Sequence, residues 1–144
     1  YISEPTRFEF LIALALKKAY PVLRVAPNYN TDDEGLPTSF AQGGGADIVC
    51  YDERGNILFE VTLLTGAQQN IREMPAIARH LSESIIKNPD SFSVMICPRA
   101  HSDTLQYAKF VKYSENLDII VLETEAFVDT LGVYATVRSY LVAQ

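Results

Sequence analysis

Long hydrophobic runs are absent from this sequence. The most apolar stretch, residues 8–16, is interrupted by Glu9 and followed by Lys17 and Lys18, and it falls short of the roughly 20 apolar residues that a membrane helix needs. We therefore expect no membrane contact. With 7 glycines, 7 prolines and 48% hydrophobic residues, the chain is neither collagen-like nor disordered. Its length suits one hydrophobic core and is short for two, which predicts a single domain over residues 1–144.

Cysteine and histidine are also scarce. Cys50 and Cys97 each end an apolar run and have no zinc-ligand neighbour, so we predict buried free thiols in a reducing cytoplasm. Two histidines are few for a zinc site. The first residues lack a starting Met, a basic segment and a cleavage site. We therefore expect the chain to be part of a larger protein or complex.

Positive charge is in deficit. The sequence has 12 Lys and Arg against 18 Asp and Glu, a net charge of -6. Proteins that hold nucleic acid by bulk electrostatics use clustered Lys and Arg, so this chain does not belong to that class. A nuclease with an acidic metal site remains open, provided that another domain or subunit supplies the basic surface.

Apolar periodicity and turn residues predict an α/β domain with the order α-β-β-β-α-β-α-β-α. The expected helices are 6–19, 67–87, 103–113 and 124–144, and the expected strands are 22–25, 46–51, 57–64, 92–97 and 117–122. Pro75 must either start the regular part of the second helix or kink it. The last two strands are apolar and joined by a helix, which predicts a parallel pair inside a central mixed β-sheet flanked by helices. The long turn-rich segment 27–45 is typical of functional or disordered loops.

Two acids interrupt the strands of the clearest hairpin. A turn centred on Arg54 and Gly55 pairs positions that sum to 108 or 109, which makes Asp47 and Glu60 near neighbours. Two carboxylates about 4 Å apart repel each other by about 4 kcal/mol at an effective dielectric of about 20. A cation such as Mg²⁺ would relieve that repulsion. The alternative is that one acid faces solvent at the edge of the sheet.

The sequence does not match the motifs of other nucleotide-binding proteins or hydrolases. The glycines at 43–45 are followed by a strand and lack the Lys-Ser/Thr of a phosphate-binding loop. No Ser-His-Asp or Cys-His order rises above chance.

The segment 43–49, with twelve residues between Asp47 and the triplet 60–62, resembles the PD-(D/E)xK nuclease signature. The predicted α-β-β-β-α-β order matches the core of that superfamily. Segments 26–37 and 59–66, with Glu73 and the following 78–81, resemble the AlwI-type restriction endonucleases more closely. That family includes type IIS cutters and nicking enzymes. The resemblance covers residues 6–90 well and the remainder only in its order of elements.

The resemblance implies a set of catalytic residues. It carries over four acids, Glu9, Asp47, Glu60 and Glu73. The last three are spaced by 13 and 13 residues and would be ligands for one or two Mg²⁺, with Mn²⁺ as a substitute. Glu9 would act from the opposite wall, or else be a solvated helix acid. Thr62 stands where the superfamily usually has Lys, and it can position water without supplying positive charge.

Three further residues are DNA-binding candidates. The resemblance places Gln69 near the scissile phosphate, with simple helix capping as the alternative. His80, beside Arg79, shares a helix face with Glu73 and is predicted to contact phosphate or a metal ligand, unless it is a structural histidine. His101 is expected to be a loop or cap residue.

These implications together predict the Mg²⁺-dependent cleavage domain of a type II or IIS restriction endonuclease in the bacterial cytoplasm. Its partners would be double-stranded DNA, a separate DNA-recognition domain or subunit, and a second copy or second nuclease subunit, because each domain would cut one strand. The alternatives are another PD-(D/E)xK nuclease acting in repair or on DNA junctions, or a degenerate nuclease fold used as an interaction module.

Overall fold

A computed structural model describes residues 3–38 and 45–143. Its five strands form one mixed sheet with helices on both faces, which confirms the predicted fold class. The strands are β1 (Arg24–Pro27), β2 (Ile48–Tyr51), β3 (Asn56–Val61), β4 (Phe92–Cys97) and β5 (Ile119–Glu123). The helices are α1 (Glu4–Ala19), α2 (Gln68–Lys87), α3 (Ser102–Glu115), α4 (Thr124–Thr130) and α5 (Val137–Val142).

The strands lie in chain order, β1 to β5. β1, β2 and β3 pair antiparallel, whereas β3, β4 and β5 pair parallel through the crossover helices α2 and α3. The predicted parallel pair 92–97 and 117–122 is thereby confirmed. Every residue of β4 is buried, as expected for a central parallel strand covered on both faces.

The hairpin register differs by one residue from the prediction. Ile48 lies opposite Phe59, so paired positions sum to 107 and not to 108 or 109. The cause is the turn, where Asp52 Oδ1 accepts hydrogen bonds from the backbone N–H groups of Arg54 and Gly55. This arrangement centres the turn one half-residue earlier. Continuing the observed register beyond β2 places position 47 directly opposite position 60.

Two apolar clusters hold the layers together. One cluster joins α1 and the C-terminal helices to one face of the sheet, around Leu16, Phe59 and Phe127. The other joins α2 and α3 to the opposite face, around Leu81 and Met95. The alternation of side chains along β3 therefore sends position 59 to the α1 side and positions 58 and 60 to the α2 side.

Several predicted boundaries are wrong. Pro75 lies inside α2, which already begins at residue 68, so it does not start the helix. The first strand lies at 24–27 in place of 22–25. The third strand ends at 61 in place of 64.

The predicted single terminal helix 124–144 is also wrong. The chain forms α4 and α5 because Leu131 is extended and Gly132 adopts a φ of 82°. Glu123, not Thr124, occupies the N-cap of α4, and the Thr124 hydroxyl donates to the Cys97 carbonyl at 3.0 Å.

Two predictions about single residues are confirmed. Cys50 and Cys97 are buried free thiols. His101 is the N-cap of α3, where its side chain accepts from the N–H of Asp103. Across residues 3–38 and 45–143, no helix has the length and hydrophobicity to span a membrane.

Candidate active site

The hairpin brings Asp47 and Glu60 together. Asp47 immediately precedes β2, and its Oδ2 accepts a 2.8 Å hydrogen bond from the backbone N–H of Val61. Glu60 lies in β3 and is 6% exposed. The two acids are therefore near neighbours, as the sequence predicted. Burial raises the pKa of Asp47 to about 6, and the charge of Glu73 adds to the effect against the lowering by the Val61 hydrogen bond.

Glu60 contacts His80 on α2. The Glu60 Oε2 atom lies 2.8 Å from His80 Nδ1. Burial, followed by the charges of Asp47 and Glu73, raises the pKa of Glu60 to about 9. Burial and the charge of Arg79 lower the pKa of His80. Both shifts disfavour the charged forms of the two side chains and so weaken an ion pair between them.

Thr62 links β3 to α2. Its hydroxyl donates to Glu73 Oε1 at 3.1 Å and accepts from the backbone N–H of Leu64 at 3.1 Å. The residue that replaces the usual Lys therefore holds the Glu73 carboxylate in place. It brings no positive charge to the acids.

Glu9 reaches the same group of acids from α1. It is 8% exposed, and its Oε2 atom is buried without a hydrogen-bond partner. Burial, with the charges of Asp47 and Glu73, raises the pKa of Glu9 to about 7. The alternative of a solvated helix acid is wrong, because the side chain is buried.

Sequence reasoning missed Tyr29, which lies in the turn-rich segment after β1. Tyr29 is buried, and its ring meets that of Phe10 edge-on, with centroids 6.4 Å apart. Burial and the charge of Glu9 raise its pKa to about 12. An aromatic residue inside a long polar loop was the only signal available.

The four acids, Glu9, Asp47, Glu60 and Glu73, form what we call the acid cluster. They come from α1, the residue before β2, β3 and α2. The charges of Asp47 and Glu73 raise the pKa of Glu9 and Glu60, and the charge of Glu73 raises that of Asp47. Within the described ranges, none of them pairs with a Lys or Arg. In the same part of the chain, no three His, Cys, Asp or Glu side chains stand in an arrangement that could hold a metal ion. The acid cluster therefore has no Lys or Arg among the described residues to offset its charge.

Gln69 and Arg79 occupy contrasting environments. Gln69 is fully buried, and its amide donates to the carbonyls of Leu64 and Arg99 and accepts from the N–H of His101. These bonds tie three loop ends together, and a phosphate contact would have to replace some of them. Arg79 is exposed on α2. The DNA contacts expected of both residues stay predictions.

The chain matches the model of the AlwI restriction endonuclease family over residues 2–130. It belongs to this family. The match extends well beyond the residues 6–90 that carried the sequence resemblance, through the parallel half of the sheet. Membership of the AlwI family supports a DNA endonuclease as the general class of this protein.

One solved structure is closely similar to this AlwI-family chain. The small subunit (R.BspD6I2) of the heterodimeric restriction endonuclease R.BspD6I is 26% identical, with a TM-score of 0.82 over 94% of this chain and 72% of that one. The likeness confirms the PD-(D/E)xK-like fold. A repair endonuclease from Pyrococcus abyssi is 11% identical over 85% of this chain and 49% of that one, with a TM-score of 0.45, too low to support an argument. No curated protein matches.

Proposed function

We propose that this chain is the cleavage domain of a Mg²⁺-dependent type II restriction endonuclease that hydrolyses a phosphodiester bond of double-stranded DNA. The observation that carries the proposal is the convergence of four acids, three of them with raised pKa values, and none paired with a Lys or Arg among the described residues. Membership of the AlwI family supplies the class of reaction. The acid cluster supplies a place for it.

The donor atoms fit a hard divalent cation. All four acids offer oxygen ligands, and Mg²⁺ needs only one or two protein carboxylates beside water and phosphate oxygens. The buried, unpartnered Oε2 of Glu9 and the raised pKa values are what uncompensated carboxylates produce. Asp47 and Glu60 would hold the ion, and Mn²⁺ would substitute. Because no three described side chains are arranged as a metal site, Glu73 would have to move closer to serve as a third ligand. Bound there, the metal would lower the pKa of water and neutralise charge on the phosphate.

The protein groups around the acids have roles of their own. Glu60 must lose its proton before it binds a cation, and His80 Nδ1, 2.8 Å away, lies within hydrogen-bond distance of it. Thr62 donates a hydrogen bond to one oxygen of Glu73, which restricts the orientation of that carboxylate. Because Thr62 supplies no positive charge, a bound metal and groups outside the cluster would stabilise the charge that develops on the phosphate.

The proposed enzyme works with a partner. A single cleavage domain hydrolyses one strand, so a double-strand cut needs a second copy or another nuclease subunit. The net charge of -6 also favours a separate domain or subunit that recognises DNA. The structurally similar R.BspD6I2 is the small subunit of a heterodimer, which supports a partner subunit here.

Cleavage of supercoiled plasmid tests the proposal. With its recognition partner, the wild-type chain is expected to nick plasmid in Mg²⁺ or Mn²⁺, and neither in EDTA nor in Ca²⁺ alone. Asp47→Ala and Glu60→Ala should each abolish nicking while circular dichroism stays unchanged. If either variant keeps near wild-type nicking at saturating Mg²⁺, the assigned site is wrong. A wild type that never cuts would point to the degenerate fold, and defined junction substrates would separate repair from restriction.

A further inference from the structure

A groove runs along the sheet beside the acid cluster. It has a volume of about 360 Å³ and lies between the face of β2 and β3 and the C-terminal half of α2. Gly45 and Ala46, which immediately precede Asp47, form its near end, and Ser84 and Asn88 form part of its far end. We refer to it as the α2 groove.

The α2 groove and the acid cluster share one face of the sheet. Side chains alternate along a strand, so Val49 and Tyr51 point to the same side as Asp47, and Leu58 points to the same side as Glu60. Val49, Tyr51 and Leu58 line the groove. A molecule that contacts the acids can therefore continue into the groove without crossing the sheet.

The helix wall is continuous in the same way. His80, Glu83, Ser84 and Lys87 line the groove and follow the i, i+3, i+4, i+7 spacing of one helix face. His80 is the residue that contacts Glu60 at 2.8 Å. Lys87 lies seven residues farther along α2, roughly 10 Å by the helical rise. The rise of about 3.4 Å per nucleotide is measured along the duplex axis, and adjacent phosphates of one strand lie farther apart than that, so this distance spans fewer than about three nucleotides of a strand.

Charge in the groove is graded. Lys87 has no ion pair within the described residues, and Arg24 lies over the Tyr51 ring, with Cζ 4.5 Å from its centroid. Lys87 therefore stands at the end of the groove away from the acids, and Arg24 stands beside that end without being part of the groove lining. Glu83 lies between that end and His80, and its negative charge would repel a phosphate bound beside it. An apolar and aromatic floor with a cationic far end is complementary to a sugar-phosphate strand.

We propose that the α2 groove binds the strand being cut, with Lys87 on a phosphate of that strand fewer than about three nucleotides from the scissile bond. This inference rests on the proposed function. Lys87 acts in binding and does not touch the reacting atoms. Tyr51 and Leu58 contact the intervening sugars, and Glu83 weakens the affinity.

The salt dependence of binding tests this contact. The full chain is titrated with a fluorescent 20-base-pair duplex in Ca²⁺ at several salt concentrations, and anisotropy gives the binding constant. Losing one phosphate contact in B-DNA reduces the slope of log K against log salt by about 0.9. Lys87→Gln should show this reduction. Lys18→Gln is the matched control, since Lys18 is exposed in the last turn of α1, on the other face of the sheet, and its slope should equal that of wild type.

Two further readouts separate binding from chemistry. Lys87→Gln should raise KM for DNA and leave kcat in Mg²⁺ unchanged, and Glu83→Gln should tighten binding. An unchanged salt slope in Lys87→Gln, or an equal change of slope in Lys18→Gln, would overturn the inference about the α2 groove. Nicking by the wild type in the same experiments would leave the proposed function standing. If Lys87→Gln kept the wild-type salt slope but no longer associated with another subunit, the inference would also be overturned, because the groove would then be a protein interface. A wild type that neither binds nor nicks DNA overturns both.

Discussion

Replacing Asp47 with Asn should stabilise the metal-free protein at alkaline pH. The substitution removes one charge from the acid cluster at nearly constant shape, and the Asn side-chain oxygen can still accept the hydrogen bond from Val61 N–H. Burial and the charge of Glu73 raise the pKa of Asp47 from 3.8 to about 6. A shift of about two units, at about 1.36 kcal/mol per unit, corresponds to about 3 kcal/mol.

The sign of the pH dependence follows from the direction of that shift. A raised pKa means that the folded state binds the proton more tightly than the unfolded state, so the contribution to stability is fully present below about pH 4. It is lost as the pH rises to about 6 and stays lost above. Glu9 and Glu60, with pKa values of about 7 and about 9, extend the loss in wild type further into the alkaline range.

Urea unfolding in EDTA at pH 4 and pH 8 measures the effect. Asp47→Asn and wild type should have similar free energies of unfolding at pH 4, and the variant should be more stable by up to about 3 kcal/mol at pH 8. Asp129→Asn is the matched control, because Asp129 is exposed on α4, and it should change stability by less than about 0.5 kcal/mol.

Adding Mg²⁺ should narrow the difference in stability between the two proteins. A ligand that binds only the folded state adds about 2.7 kcal/mol at a hundredfold excess over its Kd, and wild type should gain this while Asp47→Asn gains less. A variant that is less stable than wild type at pH 8 in EDTA, yet responds fully to Mg²⁺, would refute the reasoning. Asp47 would then be a structural acid paired within the protein.

The remaining predictions concern neighbouring residues and the domain alone. Thr62→Val should destabilise the protein by about 1–3 kcal/mol, because Leu64 N–H loses its acceptor, and it should slow cleavage because Glu73 loses its hydrogen bond. Thr62→Ser should restore both stability and cleavage rate. Equal behaviour of the two variants would contradict the role of the hydroxyl. Gln69→Leu should lower the free energy of unfolding by about 3 kcal/mol or more, because three backbone groups lose their hydrogen-bond partner. Gln68→Leu, at an exposed neighbour, should be nearly neutral when both variants are unfolded with urea. Similar losses in the two variants would contradict the role of Gln69. The isolated chain should bind DNA in the non-specific range of about 10⁻⁴–10⁻⁶ M with steep salt dependence, and nanomolar sequence-specific binding in a filter assay would show that recognition lies within it.

The sequence was informative where a polar residue breaks an apolar pattern. Asp47 and Glu60 interrupt two predicted strands, and that irregularity indicated that the two acids are near neighbours. β4 was predicted to the residue because an apolar run closed by Pro98 has few alternatives. Burial and pairing of these segments follow from composition and order.

Other features depend on side-chain bonds that no local pattern reveals. The register was missed by one because the Asp52 side chain caps the turn, and the terminal helix was overextended across the positive φ of Gly132. The contact between His80 and Glu60, 20 residues apart, exists only after α2 packs on the sheet. Gln69 could be predicted as important but not as a buried tie between loops.

Binding of Mn²⁺, followed by electron paramagnetic resonance, tests the central claim most directly, because it reports metal at the acid cluster without requiring DNA, a partner subunit or turnover. Wild type should bind Mn²⁺ more tightly as the pH rises from 6 to 9, since Glu60 must lose a proton. Mg²⁺ should displace the Mn²⁺. Asp47→Asn and Glu60→Gln should lose the site, while Asp129→Asn should keep it. No binding by wild type, or equal binding by all four proteins, would contradict a metal centre built on Asp47 and Glu60.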